Sequence, residues 1–318
     1  MANTKTILVT GAGSGIGSAI AQRLSKNNYP LILLGRNQDK LEEARNSLES
    51  PEKHRCISCD IRLPKDIANA LEKSKINLLL FSGTSDNINA VADFVDGFIC
   101  YGSPRNTELI EQLKITTKKV VTADFDIDRK ASVSINNEKA ACEIAQLAIN
   151  SEKDHIAILG LRLLDSNLTC RVYDSPNLDV HCSIAHQRLN GYKQAIAAAG
   201  AKLHSDRVWN IPESSHHFAS IAAKEALTST PRPNVLLCMS DLIALAALQE
   251  INTMGLKVPQ DIRVVGFDGI DEALRSTPPL TTVHQNSEEK GIKAAELFIN
   301  KSSHTEQIPY YIEHGKSC

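Results

Sequence analysis

No uninterrupted apolar run in these 318 residues approaches the roughly 18–20 that a membrane span requires. Charge of one sign is also missing: the formal net charge is −2, which gives no strong attraction to nucleic acid or to anionic lipid. Gly and Pro total 28 and follow no repeat, so collagen-like and low-complexity chains are excluded. Met1–Lys5 leads directly into a short apolar run, without the h-region and small-residue cleavage site of a signal peptide. Cys56 and Cys59 have CxxC spacing, but no second Cys/His pair follows at zinc-site distance, so they read as strand residues. The eight scattered cysteines suit free thiols in a reducing compartment, and the expected localisation is cytoplasmic. His186, His216 and His217 fall in no HExxH, and Ser183 and Ser240 fall in no G-x-S-x-G, so metal and hydrolase chemistry have no support.

What the chain does have is alternation. Short apolar runs at Thr6–Thr10, Pro30–Leu34, His54–Cys59, Asn77–Phe81, Gly97–Tyr101, Lys119–Ala123, His155–Leu159, Val235–Met239 and Ile262–Phe267 read as buried strands. Between and after them, segments at helical period fall at about Ser18–Asn27, Asp39–Leu48, Lys65–Lys73, Thr107–Leu113, Asn137–Ile149, Ile184–Ala199, His217–Leu227, Asp241–Met254 and Ser287–Asn300. The pattern is that of an α/β protein, and it holds too many βα units for one sheet of usual size. Two doubly wound parallel-sheet lobes are expected, with right-handed crossovers. Charge divides the chain as well: residues 1–76 carry 12 Lys and Arg against 8 Asp and Glu, and the remainder 23 against 29.

Gly11, Gly13, Gly15 and Gly17 lie between the first strand and the first helix. Glycines there allow a tight turn and close approach of a pyrophosphate to the helix N-terminus. The second strand ends in Gly35-Arg36-Asn37. A cation at that point suits a ribose 2′-phosphate, so NADP(H) is the favoured cofactor. Packing alone is the alternative role of the turn.

At the far end of the chain, Ser240-Asp241 and Asp268 place carboxylates at strand C-termini, where open α/β sheets bind ligands. Arg188 opens a helix and offers a fork of donors. Carboxylates with an Arg suit a polyhydroxylated ligand, whose hydroxyls both donate and accept. Helix N-capping is the alternative role for Asp241 and a surface ion pair that for Arg188. Trp209, the single Trp, fits either a sugar face or the core.

Two families resemble parts of this sequence. Residues 1–76 resemble the start of a short-chain dehydrogenase/reductase through Thr10-Gly11-Ala12-Gly13-Ser14-Gly15-Ile16-Gly17, Leu34-Gly35-Arg36-Asn37 and Cys59-Asp60-Ile61. That resemblance implies nucleotide contacts for Gly11, Gly13, Ser14, Gly15, Ile16, Gly17, Arg36, Asn37 and Asp60. The family's NNAG is here Phe81-Ser82-Gly83-Thr84, and no Tyr-x-x-x-Lys exists in the chain. Hydride transfer therefore has no evident acid, and catalytic residues are not assigned.

Residues 77–305 resemble the effector-binding core of LacI/GalR-type repressors, itself similar to periplasmic sugar-binding proteins. The motifs run in order from Val95-Asp96-Gly97-Phe98-Ile99 through Val120–Asp124, Val133–Asn137, Gln187–Tyr192 and Met239-Ser240-Asp241 to Val264–Asp268 and Pro278–Val283. This second resemblance implies effector contacts for Asp124, Arg188, Asp241 and Gln285, with Asp268 a further candidate. It also implies homodimerisation. The headpiece of such repressors has no counterpart here, so no nucleic-acid partner is expected of this chain alone.

The two resemblances together imply a chimera, natural or engineered, joined within Leu63–Ile76. Its first lobe, residues 1–134 with 286–305 packing back, would be a Rossmann-like sheet of order 3-2-1-4-5-6. Its second lobe would be 135–285. The expected function is non-enzymatic binding of a small polar ligand, sugar- or nucleoside-like. The alternative is an NADP(H)-dependent oxidoreductase.

Overall fold

Runs such as Leu31-Ile32-Leu33-Leu34 and Val235-Leu236-Leu237-Cys238 are buried along their whole length, as strands covered on both faces must be. The computed structural model describes residues 7–10, 12–13, 15–35, 37–58, 97–102, 104, 107–173, 183–300 and 303–318. They fall into two compact units, Met1–Ser134 with Asn286–Ile308, and Ile135–Gln285 with Pro309–Cys318.

In the first unit β1 (Ile7–Thr10), β2 (Leu31–Gly35) and β3 (Arg55–Ser58) form a parallel sheet with β2 central. The crossovers are α1 (Gly15–Ser25) and α2 (Gln38–Asn46), which bury Leu24 and Leu41 against Val9, Leu31 and Leu33. A second parallel sheet of the same unit runs β4 (Gly97–Tyr101), β5 (Lys119–Ala123), β6 (Ala131–Ser134) and β13 (Thr305–Gln307), with α3 (Thr107–Ile115) between β4 and β5. The helix α9 (Ser287–Ile299) packs on α1 and also on β5 and β6. The flanks of the expected strand order are therefore present. The strand at Asn77–Phe81, the helix at Lys65–Lys73 and the join within Leu63–Ile76 lie outside the described residues.

Among its described residues the second unit holds a sheet of seven strands. β12 (Thr281–His284), β11 (Arg263–Asp268), β10 (Val235–Cys238), β7 (Ile156–Leu161) and β9 (Val208–Ile211) are parallel. Antiparallel strands close both edges: β14 (Tyr311–Glu313) on β12 and β8 (Cys170–Arg171) on β9. The helices are α4 (Asn137–Ala148), α5 (Ser183–Ala198), α6 (His216–Thr228), α7 (Asp241–Thr253) and the short α8 (Asp271–Leu274). Small residues let α6 and α7 sit close: Ala219, Ala222, Ala223 and Ala226 share one buried cluster with Ala244, Ala246 and Ala247.

Sequence periodicity missed β6, β8, β9, β12, β13 and β14. Of these, β8, β13 and β14 are only two or three residues long, too short to display a period. Among the described residues no helix is long and apolar enough to cross a membrane.

Candidate functional site

Parallel strands deliver their C-terminal ends, and the helix starts that follow, to one edge of a sheet. In the second unit that edge carries Met239–Asp241 after β10, Asp268 at the end of β11 and Gln285 after β12. Ser240 caps α7, its hydroxyl accepting from the Ile243 N–H at 3.3 Å, so Asp241 is the first helical residue and not the cap. The Ser240 hydroxyl also meets that of Ser214 at 2.8 Å.

Arg188, in the second turn of α5, is buried at this edge. Its Nε donates to Asn137 Oδ1 at 3.0 Å and its Nη1 to the Met239 carbonyl at 2.6 Å. The guanidinium lies on the Phe267 ring, 3.6 Å from its centre, and Nη1 stands 3.7 Å from Asp268 Oδ1. Gln285 Nε2 donates to the same Asp268 oxygen at 2.6 Å. The Asp268 side chain keeps 32% of its surface exposed, and its backbone is held at φ 121°. This region is strained for any residue with a Cβ.

Asp241 is fully buried, and both its oxygens have partners. Oδ2 accepts from the Gly269 N–H at 2.7 Å and the Ile270 N–H at 2.9 Å, and Oδ1 from the Thr282 hydroxyl at 2.6 Å. Burial, and then the neighbouring Asp268 charge, push its carboxyl up to about 7, against the pull of those three donors.

Four residues singled out from sequence, Arg188, Asp241, Asp268 and Gln285, thus meet in the second unit. The fifth, Asp124, belongs to the first unit, where both its oxygens accept from the buried Lys290 ammonium at 2.6 and 2.8 Å. Sequence reasoning passed over Asn137 and Phe267, although both stand inside motifs it quoted. Trp209 is fully buried in the core beneath Arg171, whose Cζ is 5.2 Å from the ring centre.

In the first unit α1 begins at Gly15, whose φ of 54° needs a glycine and whose missing Cβ leaves open space. Gly13 precedes it, and Ile16 and Gly17 lie in its first turn. Asn37 is the cap of α2, with its side chain accepting from the Lys40 N–H at 3.0 Å. Gly11, Ser14, Arg36 and Asp60 lie outside the described residues. Cys56 donates to the Leu41 carbonyl and is pushed up to about 11, chiefly by burial, the state of an inert strand thiol. No group of His, Cys, Asp and Glu suited to a metal occurs among the described residues.

Residues 154–313 match the family model of the periplasmic binding protein-like domain, half of the chain. The chain belongs to this family. Its site cluster falls within or beside the matched span. Residues 5–81 match a second model, that of short chain dehydrogenases. Among curated proteins, an HTH-type transcriptional regulator of Mycolicibacterium smegmatis is 30% identical over 67% of the chain and 59% of its own length. The ribose operon repressor of Haemophilus influenzae is 37% identical over 37% of the chain and 36% of its own length. The chain therefore spans less than two thirds of the relatives it matches. Among solved structures, a complex of the transcriptional regulator CelR with cellobiose gives a TM-score of 0.66 at 18% identity, over 99% of this chain and 85% of that one. At that identity the likeness is one of fold alone, an α/β architecture with parallel sheets.

Proposed function

We propose that this chain is an effector-binding module that takes a small polyhydroxylated ligand, a sugar or nucleoside, at the strand ends of its second unit. The observation that carries the reading is the Arg188–Asp268 pair: a buried, stacked guanidinium beside a half-exposed carboxylate on strained backbone. Arg188 uses Nε and Nη1 inside the unit, and Nη2 has no partner among the described residues. One side chain then donates and the other accepts, which is the complement of a sugar hydroxyl pair. Gln285 orients the carboxylate. Relatives named as regulators and a neighbour solved with cellobiose support the same ligand class. The homodimer implied by the sequence resemblance belongs to this proposal.

The test is calorimetric and thermal-shift titration with D-ribose, cellobiose and a nucleoside. A saturable rise in melting temperature with one of them is expected. No response to any of them at millimolar concentration would sink the reading.

The glycine turn favours a second, compatible binding event. Gly15 in its left-handed conformation, with open space beside it at the first turn of α1, fits the approach of a pyrophosphate. Gly13, Gly15, Ile16 and Gly17 would hold NADP(H) there, with Gly11, Ser14, Arg36 and Asp60 supplying the rest, and Asn37 kept to its capping bond. The bound cofactor would supply a hydride. Without a Tyr-x-x-x-Lys pair to move the proton, we propose binding without turnover. On this reading the chain is a fusion of a dehydrogenase-type half with a binding-protein core. Titrating NADPH fluorescence tests it, and steady oxidation of NADPH by any carbonyl compound would restore the oxidoreductase alternative.

A further inference from the structure

We propose that Asp241 is a positioning residue for the ligand site, acting through Asp268 by holding the Gly269–Ile270 turn; the inference rests on the ligand-binding reading above. Asp268 carries φ 121° and Gly269 follows at 74°, two successive residues outside the ordinary L-residue regions. Such a turn persists only if its surroundings hold it. The two amides immediately after Asp268 both donate to one oxygen of Asp241, and the other oxygen is tied to Thr282 on β12. The start of α7 therefore clamps the end of β11. Sequence prepares the space: a Cβ at Gly266 would lie 2.2 Å from Asp241 Oδ1, so only glycine admits the carboxylate. With no exposed surface, Asp241 is out of a ligand's reach and influences it through the backbone that aims Asp268.

The charged and titratable groups that face the clamp are Asp268 on β11, Tyr192 on α5, Cys238 on β10 and, against Gly269, His284 on β12, with Arg188 beside Asp268. Burial pushes both the Tyr192 phenol and the Cys238 thiol well above their ordinary range, so neither competes for the proton near neutrality.

Titration of the full chain with D-ribose and cellobiose provides the test. Asp241→Ala is expected to weaken whichever sugar binds the wild type by at least tenfold. Asp241→Asn is expected to stay within about threefold, since its amide oxygen still accepts from both N–H groups. In a cycle with Asp268→Ala, the added Asp241→Ala is expected to cost nothing further, as for residues acting as one unit. Additive losses, or an Asn variant as weak as the Ala variant, would overturn the proposal. Should the wild type bind neither sugar, the ligand reading fails by itself. The clamp is then judged by amide resonances, which also serve if the Ala variant does not fold. The Gly269 and Ile270 amide shifts must titrate together in the wild type, in Asp268→Asn and in His284→Gln, which removes the imidazole facing Gly269, and the joint titration must be gone when Asp241→Asn is added to His284→Gln. Absence of that joint titration in the wild type defeats the proposal.

Discussion

Arg188 lies over the ring of Phe267, its Cζ 3.6 Å from the ring centre, while Nε and Nη1 are bound to Asn137 and Met239. A guanidinium can stack and donate in its own plane at once, and an ammonium cannot. Arg188→Lys therefore keeps the charge and loses both the stack and the fork. It is expected to weaken sugar binding by about 10- to 100-fold, the loss of one or two charge-assisted hydrogen bonds. Calorimetric titration checks this; unchanged affinity in Arg188→Lys would mean that the charge alone mattered.

The Asp241 carboxyl gives the second unit a pH dependence of definite sign. Its folded value, about 7, lies above the ordinary 3.8 because of burial and then the Asp268 charge. The folded chain thus holds a proton that the unfolded chain has released, so this contribution is complete below about pH 4 and is lost as pH rises through 7. One such group gives a slope of up to about 1.4 kcal/mol per pH unit. Urea denaturation of the wild type between pH 5 and 8 is expected to show stability falling with pH, and Asp241→Asn is expected to flatten that slope.

Much of this arrangement was legible beforehand. The βα alternation marked most of the helices to within a few residues, because helices of 9–16 residues display their period. The strand ends at Asp241 and Asp268 were legible because a polar residue closing an apolar run must lie at a sheet edge. What a one-dimensional pattern does not hold is division of labour: Asp241 and Asp268 look alike in sequence. Only the amides of Gly269 and Ile270, some thirty residues downstream of Asp241, separate the buried clamp from the exposed acceptor. Phe267 reads as core until Arg188 is found on its face.

Gly291 is the contact on which α9 seats against α1. A Cβ there would stand 2.6 Å from the Ile16 carbonyl oxygen and 3.0 Å from Ala19 Cβ. Backbone cannot yield as a flexible side chain does, so the helices must separate. Gly291→Val is expected to cost at least the roughly 1–3 kcal/mol of an overpacked core, and Gly291→Ala less. Thermal unfolding followed by circular dichroism measures it. Unchanged melting of Gly291→Val would mean that the two helices do not pack at this point.

Asp154 gathers four donors before β7: the Asn150 and Ser151 N–H groups on Oδ2, and Asn234 Nδ2 and Arg263 Nη2 on Oδ1 at 2.9 and 2.6 Å. Burial works against its charge, yet Arg263, the Asn150 N–H and Asn234 hold the carboxyl below its ordinary range. A depressed folded value means stability that is present above about pH 4 and lost as pH falls. Asp154→Ala strands the Arg263 charge, whose Nη1 is already a buried donor lacking a partner among the described residues. Removing one member of a buried pair costs about 3–5 kcal/mol, most of it from the charge left behind. Asp154→Ala is therefore expected to unfold at markedly lower urea. Adding Arg263→Met should recover part of the loss, because it removes the stranded charge. If the double variant is less stable than Asp154→Ala, the cost lies in the lost bonds to Asn150, Ser151 and Asn234, and Arg263 is an independent contributor.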